Sequence, residues 1–173
     1  MTPTSSPTLP HSPTQAPAFP PTLPPRVSDL TAHLGFWLRL VSNHVSQAFA
    51  AKLADKQVTV AEWCLLRALY ERPPTPPSRL ADAMGLTRGA VTRLADRLIA
   101  KALIVREASA DDGRAQTLAL TARGRDLVPA LAALADRNDA EFFDSLTPTK
   151  REVLLRVLKR LAERGHMTTV PIE

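Results

Sequence analysis

Pro73-Pro74 and Gly85 constrain the folding of this chain more than any other residues. Proline lacks the amide proton a helix interior needs and disfavours helical geometry in the residue before it, so no helix runs past Arg72. Glycine enters the left-handed region at little cost and commonly ends a helix. Only one short helix fits between these breakers. It opens at Thr75, has Pro76 in its first turn where proline is tolerated, and carries Leu80, Ala81 and Met84. Thr87 then caps a second helix reaching about Lys101. A short helix, a glycine turn and a second helix form the helix-turn-helix layout.

The flanking patterns extend this unit. Leu30, Leu34, Trp37, Val41, Val45, Ala48 and Phe49 recur at three- and four-residue steps, predicting one long helix from a Ser28-Asp29 cap to about Leu53. Thr59-Val60-Ala61-Glu62 has the form of a capping box, with Val58 and Trp63 at the positions of a hydrophobic staple. Downstream, Leu103-Ile104-Val105 and Thr117-Leu118-Ala119-Leu120 have strand character, and the turn cluster Ser109 to Gly113 lies between them. A hairpin directly after a helix-turn-helix is a wing. Thr121 caps a long helix through Leu127, Leu131, Leu134 and Phe142, with Pro129 placed to kink it or loosen its start. Thr147-Pro148 opens a last helix carrying Val153, Leu154, Val157, Leu158 and Leu161 as far as Gly165. The fold class is mainly α with a small β wing (α+β), and the winged helix-turn-helix spans residues 75–121.

Composition bounds what surrounds this body. Nine of the 16 prolines fall in residues 1–25, a stretch without Asp, Glu, Lys or Arg. Such a segment buries too little apolar surface to offset its ordering entropy, so residues 1–27 are expected to be a disordered Pro/Thr/Ser-rich tail. A Pro-rich docking segment is the other reading. The segment lacks the basic start and apolar run of a secretory signal. Residues 165–173 form a C-terminal tail. No apolar run approaches the ~18–20 residues of a membrane helix. The single cysteine, Cys64, excludes an internal disulfide and reads as a small buried hydrophobe. His11, His33, His44 and His166 form no chelating pair at helical spacing, so neither a metal nor a cofactor is expected. There is no phosphate-binding glycine loop and no nucleophile elbow, so the chain is not expected to be an enzyme.

The distribution of charge says more than the net value of +5. Residues 87–101 carry Arg88, Arg93, Arg97 and Lys101 against Asp96 alone, a net +3 on one helix. On a helical wheel Val91, Leu94 and Leu98 share a sector of about 60°, the core side. The opposite side presents Gly89, Thr92, Arg93 and Asp96, flanked by Arg88 and Arg97. An N-terminus capped by Thr87 with Gly89 in its first turn can approach a DNA backbone, where amide groups and helix dipole favour a phosphate. Arginine can read guanine O6 and N7, and threonine can meet a thymine methyl. Ser78, in the preceding short helix, completes this set of DNA contacts. In the wing, Arg114 follows the Asp112-Gly113 turn and can enter a narrow A·T-rich minor groove, with Asp112 pairing to hold it. An ordinary solvated face and a plain Asp-Gly turn are the alternative readings of the same residues.

With these motifs in order, the chain resembles the MarR family of bacterial transcription regulators over about residues 28–164. The clearest match is Asp112-Gly113-Arg114-Ala115-Gln116-Thr117-Leu118-Ala119-Leu120-Thr121. Leu80-Ala81, Met84-Gly85-Leu86-Thr87, Val91-Thr92-Arg93-Leu94 and Arg97-Leu98 match the family's helix-turn-helix, and Leu120 to Arg125 matches the entry to its fifth helix. The resemblance implies a homodimer, with residues 28–54 and 122–164 as dimerisation helices and Leu30, Leu34, Phe142, Phe143, Leu154, Leu158 and Leu161 at the interface. It implies binding to double-stranded DNA at a pseudo-palindromic operator, in the cytoplasm of a bacterium and associated with its nucleoid. It also implies repression released by a small aromatic or phenolic ligand, for which His33, Phe36, Trp37, Trp63, Arg67 and Tyr70 are candidate pocket residues. Core packing of those aromatics and a solvated His33 stand beside that reading. A winged-helix protein-interaction module without specific DNA binding is the alternative function.

Overall fold

A computed structural model describes residues 27–108 and 116–167 of the chain. Six α-helices and one hairpin follow in order: α1 Leu34–Ala54, α2 Val60–Leu69, α3 Pro77–Met84, α4 Arg88–Ala100, β1 Ile104–Ala108, β2 Gln116–Leu120, α5 Ala122–Phe143 and α6 Pro148–Arg164. The expected mainly α fold with a small wing is the observed one.

Threonine sets the start of four helices. Thr59, Thr87, Thr121 and Thr147 each accept a hydrogen bond from the backbone amide three residues on. Each bond satisfies one of the amides a helix N-terminus leaves unpaired. At α2 the box is complete, because the Thr59 amide also donates to Glu62 Oε2 at 2.9 Å. Gly85 ends α3 with φ of 64°. The Leu86 amide reaches back to the Ala81 carbonyl at 2.9 Å, the Schellman closure that a left-handed residue permits.

Two expected boundaries move. The first helix does not begin at Ser28-Asp29. Leu30–Ala32 forms a short 3-10 turn, His33 is extended, and α1 starts at Leu34. No side chain caps either start, and the Trp37 indole donates instead to the Thr31 carbonyl at 2.9 Å. Thr75 does not open α3 either. Its amide and carbonyl pair with those of Leu118, both at 2.9 Å, so Thr75 adds an isolated bridge to the wing. Pro76 becomes the cap residue of α3.

β1 and β2 pair antiparallel, with Ile104 opposite Leu120 and Ala108 opposite Gln116. The core is shared by α2, α3, α4, the base of the wing and the first half of α5. Leu65, Leu66, Leu80, Val91, Leu98, Ile104, Leu118, Val128 and Leu131 are its largest fully buried aliphatic side chains, with Leu53 from the end of α1. Thr121 joins wing to helix. Its hydroxyl donates to the Ala102 carbonyl at 2.9 Å while accepting from the Gly124 amide at 3.0 Å. Gly124 is required there: a Cβ would lie 2.0 Å from the Leu103 carbonyl oxygen.

The other end is open. Among the described residues of α1 only Leu53 is buried, and in α6 none is. Lys52 fastens α1 to α5 through Asn138 Oδ1 at 2.9 Å and Glu141 at 2.7 Å, and the Asn138 amide donates to the Val45 carbonyl. Arg151 bonds Asp139 and Asp144, tying α6 to the end of α5.

Candidate nucleic-acid interface

Helix α4 stands on the lobe's core through Val91, Leu94, Ala95 and Leu98, all buried. Its opposite side carries Arg88, Gly89, Thr92, Arg93 and Asp96, all exposed, as the wheel predicts. Thr87, also exposed, bonds the Ala90 amide at 3.2 Å. Thr92 donates its hydroxyl to the Arg88 carbonyl at 3.0 Å, which leaves its methyl as the free end of the side chain. Ser78 is half-buried in the first turn of α3. Asp112 and Arg114 lie outside the described residues.

The charge on α4 is distributed differently from its count. Arg106 of β1 bonds Asp96 at 2.6 Å. Arg97 and Lys101 both turn to Glu62 of α2, at 3.3 Å and 2.7 Å. Arg88 and Arg93 have no ion-pair partner among the described residues. Among the described residues two cations of α4 are therefore outside any ion pair, both on the N-terminal half of the helix, while Arg97 and Lys101 share the single charge of Glu62. Sequence reasoning assigned Glu62 to the capping box alone. Its second role joins residues 35 and 39 positions apart, beyond any local pattern.

Burial alone would raise the Glu62 carboxyl's pKa. Hydrogen bonds from Lys101 and the Thr59 amide, the Lys101 charge and the Arg97 hydrogen bond outweigh it, so the pKa is held below its ordinary value. Cys64 is half-buried beside the core, and desolvation pushes its thiol up, away from a reactive thiolate.

The candidate ligand residues do not form one cluster. Phe36 and Trp37 meet edge to face at 5.3 Å. Arg67 lies over the Tyr70 ring at 5.9 Å, and Trp63 packs against the core from the same helix, α2. His33 is exposed at the break before α1. Only Trp37 of the six lines the large apolar groove between α1, the end of α5 and α6. That groove, about 780 Å³, also takes Leu34, Phe142, Phe143, Leu154, Leu158 and Leu161. Six of the seven expected interface residues thus share one surface. The seventh, Leu30, is exposed in the 3-10 turn.

Residues 56–115 match the model of the MarR family. A probable transcriptional regulator from Pseudomonas aeruginosa has 27% identity and a TM-score of 0.68, over 77% of this chain and 99% of that one. CouR from Rhodococcus jostii, solved bound to p-coumaroyl-CoA, has 25% identity and a TM-score of 0.70, over 84% of this chain and all of its own. A MarR family protein from Mycobacterium tuberculosis, solved in complex with p-aminosalicylic acid, has 27% identity and a TM-score of 0.58, over 75% and 98%. The family match covers the helix-turn-helix and the first strand, and the structural likeness carries the same fold through the flanking helices. Residues 56–115 of this chain are similar to the MarR family, and the chain has the winged helix-turn-helix fold of that family's transcriptional regulators.

Proposed function

We propose that this protein is a sequence-specific, double-stranded DNA-binding regulator that acts as a homodimer on a pseudo-palindromic operator. The observation that carries the reading is the outer face of α4. Arg88, Gly89, Thr92 and Arg93 are exposed on a helix whose other side is locked in the core. Arg93 is the base reader, suited to guanine, and the Thr92 methyl is suited to thymine. Thr87, Arg88, Gly89 and Ser78 position the backbone. Arg114, held by Asp112, takes the minor groove beside the site. Gly89 supports a close approach from outside, because a Cβ there would meet only Arg93 Nη1, at an ordinary 3.7 Å.

The open groove supports the dimer. A monomer with Trp37, Val41, Leu154, Leu158 and Leu161 exposed along one surface leaves more apolar area in water than a soluble chain ordinarily does. A second copy that covers it brings two α4 helices to successive major grooves, roughly 34–36 Å apart. We assign the protein to the bacterial cytoplasm, on the nucleoid, as a repressor released by a small aromatic ligand. The aromatic ligands of the R. jostii and M. tuberculosis relatives support that class of effector. Trp37 in the groove, Phe36 packed against it, and Trp63, Arg67 and Tyr70 on α2 and at its C-cap are the aromatic and cationic groups available to it, with His33 just before α1.

Selection of bound duplexes from a random pool tests the reading. The expected product is a palindrome with half-sites about one turn apart. Arg93→Ala is expected to weaken binding to that product far more than to random duplex. Arg114→Ala is expected to cost most on A·T-rich flanks. A pool that enriches no sequence would assign the fold to protein interaction instead.

A further inference from the structure

Glu62 is fully buried, and every oxygen of its carboxylate is used. Lys101 Nζ donates to Oε1 at 2.8 Å and to Oε2 at 2.7 Å. Arg97 Nε donates to Oε1 at 3.3 Å, and the Thr59 amide to Oε2 at 2.9 Å. Lys101 also donates to the Gln57 carbonyl at 2.8 Å, in the turn before α2. The cap does not explain the charge, since glutamine closes a capping box as well as glutamate does. Burying a carboxylate is unfavourable unless paired cations and hydrogen bonds compensate. Here both cations come from the C-terminal end of one helix, Arg97 from the last turn of α4 and Lys101 from its C-cap.

We propose that Glu62 is a positioning residue for DNA recognition: it holds Arg97 and Lys101 against α2, fixes the rotation of α4, and keeps Arg97 from engaging phosphate. The inference rests on the DNA reading of α4 given above. An arginine released on a DNA-facing helix adds affinity for any sequence, because each phosphate neutralised releases counterions regardless of the bases. Holding Arg97 on Glu62 therefore raises the ratio of specific to non-specific binding. Thr92 and Arg93 are left as the side chains that distinguish sites. Arg97, placed by its sequence position among the DNA contacts, becomes part of the support.

The test uses the full chain, a selected operator and a random duplex, with affinity measured over a series of KCl concentrations. Glu62→Gln keeps the cap and removes the charge. Its affinity for random duplex is expected to rise several-fold. The slope of log K against log salt is expected to steepen by about 0.9 per protomer, one added phosphate contact. An unchanged slope in the folded variant overturns the proposal. Arg97→Gln, which leaves Lys101 on Glu62, is expected to leave the slope unaltered. A slope shallower by about 0.9 per protomer would show Arg97 already on phosphate and equally overturn it. This second variant decides the matter if Glu62→Gln does not fold. A DNA-free measurement separates the two readings. The Arg97 Nε proton is expected to exchange slowly by NMR in the unaltered protein, and fast exchange there rejects the clamp. Slow exchange in a protein that selects no duplex would instead reject DNA recognition and leave the clamp standing.

Discussion

The two ends of the molecule solve the same problem differently. Both are built from helices with one apolar side. In the winged lobe those sides meet, and Leu98 of α4 is 0% exposed. At the helical end they do not, and Leu34 of α1 is 87% exposed. The lobe needs nothing beyond its own chain to keep water from its core. The helical end buries its apolar face only against something else. The lobe's stability is accordingly intramolecular, while in the proposed dimer that of the helical end would depend on protein concentration.

Leu158→Arg attacks the helical end alone and carries the largest expected effect. A charge in the groove should leave a folded monomer by sedimentation, with helix content retained. Operator affinity should fall by a factor on the order of 100 or more as two-site attachment is lost. A surviving dimer, or a lobe that melts with it, would erase the contrast between the two ends.

Gly124→Ala attacks the lobe alone. Its Cβ meets backbone that cannot turn aside, so destabilisation should reach the upper end of about 1–3 kcal/mol, read from the denaturant midpoint. Sedimentation below the transition should still give the dimer. Lys101→Met removes the main partner of a buried carboxylate, with Arg97 remaining, and should cost roughly 2–3 kcal/mol in the lobe.

Acid provides a gentler probe of the same cluster. The Glu62 pKa is lower in the folded than in the unfolded chain, so the folded state takes up its proton less readily. The stabilisation is present above the unfolded value of about 4.3 and is lost as pH falls through the lower folded value. Midpoints measured between pH 3 and 6 should fall less steeply in Glu62→Gln than in the unaltered protein. An identical pH profile would remove Glu62 from the lobe's acid sensitivity.

Gly89→Ala should have the smallest effect and the most pointed sign. Alanine favours helix and nothing inside the protein obstructs it, so stability should rise by up to about 1 kcal/mol. Operator affinity should fall several-fold, because the added methyl lies where backbone approaches DNA. Unchanged affinity would mean that α4 does not come that close.

The lobe was more legible in the sequence than the helical end because its signals are local. A threonine followed by its own helix marked α2, α4, α5 and α6, and Gly85 marked the turn. Periodicity found α1 but not its start, because it responds to Leu30 and Leu34 without registering the extended backbone of His33 between them. Thr75 looked like a cap and is a strand bridge, since its partner Leu118 lies more than 40 residues away. The wheel gave Arg97 a direction but no partner. Glu62 was visible only as a cap, and its burial and two cations exist only once α2 and α4 pack. Local grammar identifies where helices begin; it does not say which charges will meet.

Helix α5 is also a lever. Its 22 residues make a rod about 33 Å long. One end is pinned to the wing base by Thr121 and Gly124, and the other puts Phe142 and Phe143 into the apolar groove. Tilting such a rod by about 10° displaces its far end sideways by about 6 Å, a distance similar to the pitch of one helical turn. On the DNA reading proposed above, a change in the groove that tilted the rod by that much would turn the wing base at its other end relative to a half-site.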